Sequence, residues 1–456
     1  MPDTAYIGAG AGFAGDRTDA AGPVADALAK CDGLRFLMFE CLAERTLALS
    51  QLERRRDPKA GFNPSLDKFV GPILARCLRD RIKIVGNFGA ANPRGAAERI
   101  LKLADEQGLK APRVAVIEGD DLAGVLSAQE LAAREIDGAI LRGATQIVAA
   151  NLYLGGEPIA QALDQGADIV VTGRVADSAL ALGPLMHAFG WQRDNWDRLA
   201  AGTMAGHLLE CGAQVTGGYF ADPPFKPVAR MADIGYPVAE IGADGSMVIG
   251  KPDGTGGRVE RQTVTEQLLY EIHDPAAYLA PDVVLDLTAV TVEEIGRDRV
   301  RVTGARGKPA PDTLKATVCI DGGVLGEAEI SYAGPNAAAR ARLAAETVAE
   351  RMKRRAPGLQ FRTDAIGLVS VLGNNEGAFA RLRNADAADV RLRFAAQSVI
   401  TAEVETLLDE VEGLYCAGPA GGSGVRRRLT PRLASASCLI ERKYAQPRVV
   451  MLGGGA

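Results

Sequence analysis

Residues 168–178 read DIVVTGRVADS. Ile169-Val170-Val171 is a run of β-branched residues with no polar alternation, the pattern of a strand covered on both faces. It breaks at once into small and polar residues, Thr172-Gly173-Arg174-Val175-Ala176-Asp177-Ser178. Upstream, residues 158–165 have amphipathic helical spacing. The same pairing recurs towards the N-terminus. The spacing predicts strands at 4–8, 34–40, 83–86, 114–118 and 168–172. It predicts helices at 44–56, 94–107 and 158–165. Buried strands alternating with helices mean parallel βαβ units, so the fold class is α/β. We expect an N-terminal domain, residues 1–281, with a mostly parallel sheet flanked by helices.

Beyond Pro281 the pattern changes. Residues 299–302, 316–320 and 326–332 alternate with period two. A long helix is expected at 336–355, strands near 365–372 and 389–395, and a helix at 402–413. Strands followed by helices suggest a smaller C-terminal α+β domain, residues 282–456. It carries a Gly-rich loop at 418–424, followed by Arg426-Arg427-Arg428.

Composition bounds the function. Of 456 residues, 47 % are hydrophobic and 24 % charged, ordinary values for a globular chain. Lys and Arg number 52 against 57 Asp and Glu, for a net charge of −5. That balance argues against a surface devoted to nucleic acid or anionic membrane. The seven cysteines have no CxxC spacing, which favours reduced thiols over a disulfide framework. Met1–Thr4 lacks the basic and apolar regions of a secretory signal, and no apolar run reaches the length of a membrane span. We expect a cytoplasmic protein and a homo-oligomer. With only His187, His207 and His273, a three-histidine metal site would need every histidine in the chain, and no metal ligands are assigned.

Parallel sheets bind ligands in the loops after their strands, and five successive strand ends here are polar. The first carries Gly10, Gly12, Gly15, Asp16 and Arg17; the second, Glu40, Cys41 and Arg45; the third, Asn87, Asn92 and Arg94. The fourth ends in Glu118-Gly119-Asp120-Asp121, and the fifth carries Thr172, Gly173, Arg174 and Asp177. We read one ligand crevice there, with turns and helix caps accounting for part of the pattern. Arginine binds carboxylate or phosphate through a planar fork, so Arg17, Arg45, Arg94 and Arg174 are candidate anion ligands. Gly421 and Gly422 in the second Gly-rich loop are further candidates. Gly10-x-Gly12-x-x-Gly15 with Glu40 resembles a dinucleotide fingerprint, but Gly22-Pro23 places the helix start well past the glycines, unlike a Rossmann turn. His207 and Glu210, at i and i+3, share one helix face. That pair suits a metal, a carboxylate-oriented general base, or a hydrogen-bonded core histidine.

Several longer runs resemble one family. GAGAGFAGDR at 8–17, FECLAERTLAL at 39–49, GNFGAANPRGAAE at 86–98 and TGRVADSALALGPL at 172–185 look like the AtuA family of acyclic terpene utilisation proteins. So do HLLECGAQVTGGYFADP at 207–223, EQLLYEIHDPAAYLAPDV at 266–283, EISYAGPNAAARA at 329–341 and the late GPAGGSGVR. The resemblance implies a catabolic role in a bacterial cytoplasm, in the company of acyl-CoA enzymes that include a carboxylase, a dehydrogenase and a hydratase. It carries no catalytic residues over. Joined to the strand-end chemistry, it leads us to expect hydratase or other lyase activity on a branched or unsaturated acyl-CoA or small carboxylate. Glu40, Asp177 or the His207–Glu210 pair would move the proton, the arginines would hold carboxylate or phosphate, and glycine N–H groups at 10–15 would stabilise an enolate oxygen. Two alternatives stay open: a non-catalytic binding or scaffold subunit partnering an acyl-CoA carboxylase, and an NAD(P)-dependent oxidoreductase. No resident cofactor follows from these residues; a CoA thioester would enter as substrate, and NAD(P) and a divalent metal remain minor alternatives.

Overall fold

A computed structural model describes residues 3–136, 138–144, 146–383 and 386–454. The chain divides into two units: residues 1–319 with 435–456, and residues 320–434. Residues 282–319 and 435–456 therefore belong to the larger unit rather than to a domain starting at residue 282.

The larger unit is organised by five parallel strands: β1 (Thr4–Gly12), β2 (Leu34–Glu40), β3 (Lys83–Gly86), β4 (Arg113–Glu118) and, after β5 (Ile147–Leu152), which lies outside this sheet, β6 (Ile169–Thr172). Beyond β1 the sheet continues antiparallel through β7 (Val238–Gly242) and β8 (Met247–Gly250). Strands β9 (Tyr278–Leu279) and β10 (Val284–Asp286) begin a small separate sheet. The hairpin β11 (Thr291–Gly296) and β12 (Arg299–Thr303) extends the large sheet past β8, and β13 (Arg306–Lys308) completes the small one. The last strand of the chain returns beside β4. The sheet is thus mixed: a parallel centre carries antiparallel strands on both flanks, the hairpins β7–β8 and β11–β12 beyond β1 and the chain's last strand beside β4.

The centre is buried on both faces as the apolar runs require, with Ile169, Val170 and Val171 fully inaccessible. Helices α1 (Ala21–Leu28), α3 (Leu66–Arg79) and α4 (Pro93–Glu106) share one core with Leu37, Phe39, Ile84 and Val116. Between α1 and α3 lies α2 (Glu44–Arg56), and the short α5 (Ala128–Ala132) follows α4. Helices α6 (Glu157–Asp164), α7 (Ala179–Phe189) and α8 (Trp196–Glu210) pack on β4, β2 and β1 respectively. Helix α9 (Arg261–Leu269) lies against α8. Local chemistry explains the starts: Asn92 caps α4 by accepting from the Gly95 N–H at 3.0 Å, with Pro93 in the first helical position.

Two glycines set the approach of α8 to the strand ends. A Cβ on Gly206 would lie 2.3 Å from the Ser178 carbonyl oxygen, and one on Gly12 would lie 2.4 Å from the Gly212 amide nitrogen. Neither residue tolerates a side chain without backbone movement. Their absence lets the C-terminal half of α8, with His207 and Glu210, pack directly on the ends of β1 and of the β6–α7 connection.

In the smaller unit, helices α10 (Ala337–Arg355) and α12 (Thr401–Ala417) cover one face of a sheet. A further helix, α11 (Asn375–Arg383), separates β15 (Phe361–Ile366) from β16 (Asp389–Ser398). β16 pairs between β15 and the long β14 (Thr313–Ala333), and β17 (Ser423–Glu441) follows α12. The opposite face is polar, with Arg393 bridging Glu327 and Asp364 and with Arg391 on Glu329. The final strand, β18 (Arg448–Gly453), is the one that joins β4. The unit boundaries fall inside β14 and β17.

Candidate active site

Buried ionisable groups collect where β2, β3 and β6 end. Glu40, the last residue of β2, is 7 % exposed. Its Oε1 accepts from the Leu42 amide at 2.8 Å and from Asn87 Nδ2 at 3.0 Å. Asn87 in turn accepts from the Cys41 amide at 2.6 Å, so one side chain ties the β2 and β3 ends together. Arg174, after β6, is 1 % exposed. Its Nη1 donates to the Leu42 carbonyl at 2.6 Å and its Nε to the Val175 carbonyl at 2.8 Å. Its Nη2 donates to Asp177, and its guanidinium lies 4.6 Å from the Tyr153 ring centre. Tyr153 donates to Glu44 at 2.6 Å, and Lys315 stands 4.9 Å from the same ring centre.

His207 Nδ1 meets Glu210 Oε1 at 3.0 Å. The imidazole is 2 % exposed, and its Nε2 has no partner among the described residues. Tyr278 covers the ring, with centres 5.9 Å apart. Gln267 fixes the His207 backbone by donating to its carbonyl at 3.0 Å.

These groups interact electrostatically as one cluster. Burial pushes Glu40 well above the ordinary carboxylate range, and the Asp177 charge adds to it against Arg174. Burial also raises Asp177 despite Arg174. Glu210 is pushed up to about 7 by burial, with Asp177 contributing and His207 opposing. For His207 burial disfavours the imidazolium, but the hydrogen bond and charge of Glu210 outweigh it and raise the pKa. Asp177, with 36 % of its side chain exposed, is the most solvent-exposed of these carboxylates. Burial holds the thiols of Cys41 and Cys211 protonated, the latter near 12, which suits neither to be a nucleophile at neutral pH.

The structure thus brings together Glu40, Asn87, Arg174, Asp177, His207 and Glu210. Asp120, after β4, joins them from behind: its Oδ2 accepts from the Arg174 amide and from Asn151 Nδ2, both at 2.9 Å. Thr172 and Gly173 lead into this turn, Thr172 Oγ1 donating to the Gly173 carbonyl at 3.0 Å. Other candidates serve elsewhere. Gly10 lies inside β1, against the Phe39 ring. The Gly12 N–H donates to Asp16 at 2.7 Å, as does that of Arg17, and Tyr236 donates to the same carboxylate. Gly15 packs on Phe13 in this self-contained loop, whose Gly12 N–H already has its acceptor. Helix α1 begins only at Ala21, so the glycines do not open a helix. Arg17 pairs with Asp19, and Arg45 is exposed. Asn92 is a helix cap that also donates to the Pro58 and Ala60 carbonyls. Arg94 lines a separate cavity and lies 3.8 Å from Glu118. The four arginines therefore do not meet at one point. Gly421 and Gly422 belong to the smaller unit, against Arg340 and Tyr332. Among the described residues no three His, Cys, Asp or Glu side chains gather as a metal site.

The family profile described as acyclic terpene utilisation family protein AtuA matches residues 5–451, nearly the whole chain. The chain belongs to the AtuA family. Membership brings a catabolic association with acyclic terpene utilisation, and it covers both units of this AtuA protein. No curated protein and no solved structure matches it. Among the described residues of this AtuA chain, no helix is long and apolar enough to cross a membrane. Tyr153, Lys315 and Tyr278 had no local signature in the sequence; each reaches the cluster through contacts with residues far along the chain.

The cluster has a thermodynamic consequence. Asp120 is raised to about 6 and Glu210 to about 7, from ordinary values of 3.8 and 4.5. A carboxyl raised on folding holds its proton longer in the native state, so its stability contribution is full below the unfolded value and lost as pH rises through the folded one. His207, also raised, acts in the same direction. Thermal melting followed from pH 5 to pH 8 should show Tm falling as pH rises; a rising Tm would contradict the assignment.

Proposed function

We propose that this AtuA protein is a catabolic acid–base enzyme, a hydratase or related lyase acting on a branched or unsaturated acyl-CoA or small carboxylate. The observation that carries the reading is the buried cluster of carboxyl groups whose pKa values burial raises, with Glu210 near 7 beside a histidine whose Nε2 has no partner among the described residues. A group poised near the operating pH is the efficient general acid or base.

In the hydration direction, Glu210 with His207 takes the proton of a water whose oxygen bonds to Cβ of the unsaturated acid. The C=C π pair moves to Cα and collects the proton held by Glu40. One water is consumed, and no oxidant or reductant is required. Arg174 spends three of its five N–H groups on Leu42, Val175 and Asp177, and from its buried position it orients Asp177 and opposes the burial of Glu40. The test is turnover of a panel of branched α,β-unsaturated acyl-CoAs and their free acids, read by mass spectrometry. The expected product carries one added water; a panel recovered unchanged in both directions would remove the hydratase reading.

A further inference from the structure

A cavity of about 690 Å³ lies beside the acid–base cluster, between the C-terminal half of α2, residues 58–62, the start of α4 and the end of β4. Its size is that of a site for an organic ligand rather than a lone ion. Its rim carries Lys59 and Arg94, both exposed, and the lining also holds the carboxylates of Glu98, Glu118 and Asp121. Lys59 has no carboxylate within 4 Å among the described residues, and Arg94 has only the distant Glu118 at 3.8 Å. The rim is also the N-terminus of the 14-residue α4, whose positive end favours an anion.

The cavity wall supplies the complementary chemistry. Asn151 is 1 % exposed, and its Nδ2 is committed to Asp120 while its Oδ1 has no partner among the described residues. That assignment leaves an acceptor awaiting a donor. Asp120 lines the same wall. A ligand that fits therefore has a phosphate for the rim and O–H or N–H donors for the wall.

We propose that this cavity binds a phosphorylated nucleoside. The acyl-CoA form of the function above gives it a natural occupant, the phosphorylated adenosine end of a CoA thioester, and in that respect the inference rests on that reading. Asp120 links the two places, since it lines the cavity and accepts from the Arg174 amide.

Calorimetry of the full chain with CoA, adenosine 3′,5′-bisphosphate and inorganic phosphate tests it. The two nucleosides should bind, inorganic phosphate more weakly. Combined Lys59→Glu and Arg94→Gln, both surface changes, should weaken nucleoside binding at least tenfold. Glu210→Gln should leave it within twofold. Nucleoside binding by a protein inert to every acyl-CoA supports the cavity and removes the CoA-hydratase reading. No nucleoside binding, or equal binding by the Lys59/Arg94 variant, overturns the cavity even if a CoA-free acid is turned over.

Discussion

Glu210→Gln turns over its substrate about 10²–10⁴-fold more slowly than the parent chain, the usual contribution of a positioned acid or base. The amide is nearly isosteric and keeps a polar partner for His207 Nδ1, which now stands 3.0 Å from a carboxylate oxygen. It removes the proton exchange. The same change raises stability at alkaline pH. Glu210 titrates near 7 in the folded chain against an ordinary 4.5, so its ionisation in the buried site costs on the order of 3 kcal/mol above both values. The variant should therefore melt higher than the parent at pH 8 and about equally at pH 4. A purely structural role for Glu210 predicts the opposite, a stability loss at every pH with activity falling only as the fold is lost. Activity and pH-resolved melting of one purified variant decide between them.

Arg174→Met destabilises the chain by about 3–5 kcal/mol, the cost of removing one partner from a buried charged network. Arg174 is the largest side chain in the fully buried interior. Without it the Leu42 and Val175 carbonyls lose their donors, Asp177 loses its ion pair, and the Tyr153 ring keeps only Lys315 of its two cations. Glu40 loses the positive charge that opposes its burial, so it should bind its proton still more tightly. Urea denaturation gives the stability loss. Arg174→Lys, which restores charge without the fork, should recover only part of it; full recovery would mean that the three hydrogen bonds contribute little.

The parallel centre was legible because its strands are apolar throughout and its helices announce themselves. Expected bounds at residues 34–40 and 44–56 coincide with β2 and α2. Strand β1 runs four residues past the expected end because Gly10 and Gly12, read as loop, are strand positions where only a hydrogen fits against Phe39 and the Gly212 backbone. Strand β14 was expected as two pieces, since Asp321-Gly322-Gly323 carries turn chemistry yet stays within one 21-residue strand. Strand β17 starts at Ser423, inside the loop expected at 418–424, and no element is predicted beyond it, because three consecutive arginines hide an exposed strand. β18 had no helix beside it to mark a βαβ unit, and β5, although α6 follows it, pairs with β14 outside the parallel sheet.

The site divides in the same way. Glu40 and Asp177 were visible as strand-end residues, and His207 and Glu210 through their i, i+3 spacing. Their convergence depends on Gly12 and Gly206, whose close contacts are with residues distant in sequence. The role expected for the glycine N–H groups at residues 10–15 changed for a local reason: Asp16 lies four residues beyond Gly12 and takes its N–H.

The central claim is that the buried carboxyl cluster moves a proton to and from the carbon beside a carbonyl. It is tested most directly by running the purified protein with a branched α,β-unsaturated acyl-CoA in D2O. The account predicts one solvent deuterium at Cα of the hydrated product, at a rate that falls at least a hundredfold in Glu210→Gln. Conversion without deuterium at Cα, or deuterium appearing equally fast in Glu210→Gln, would contradict it.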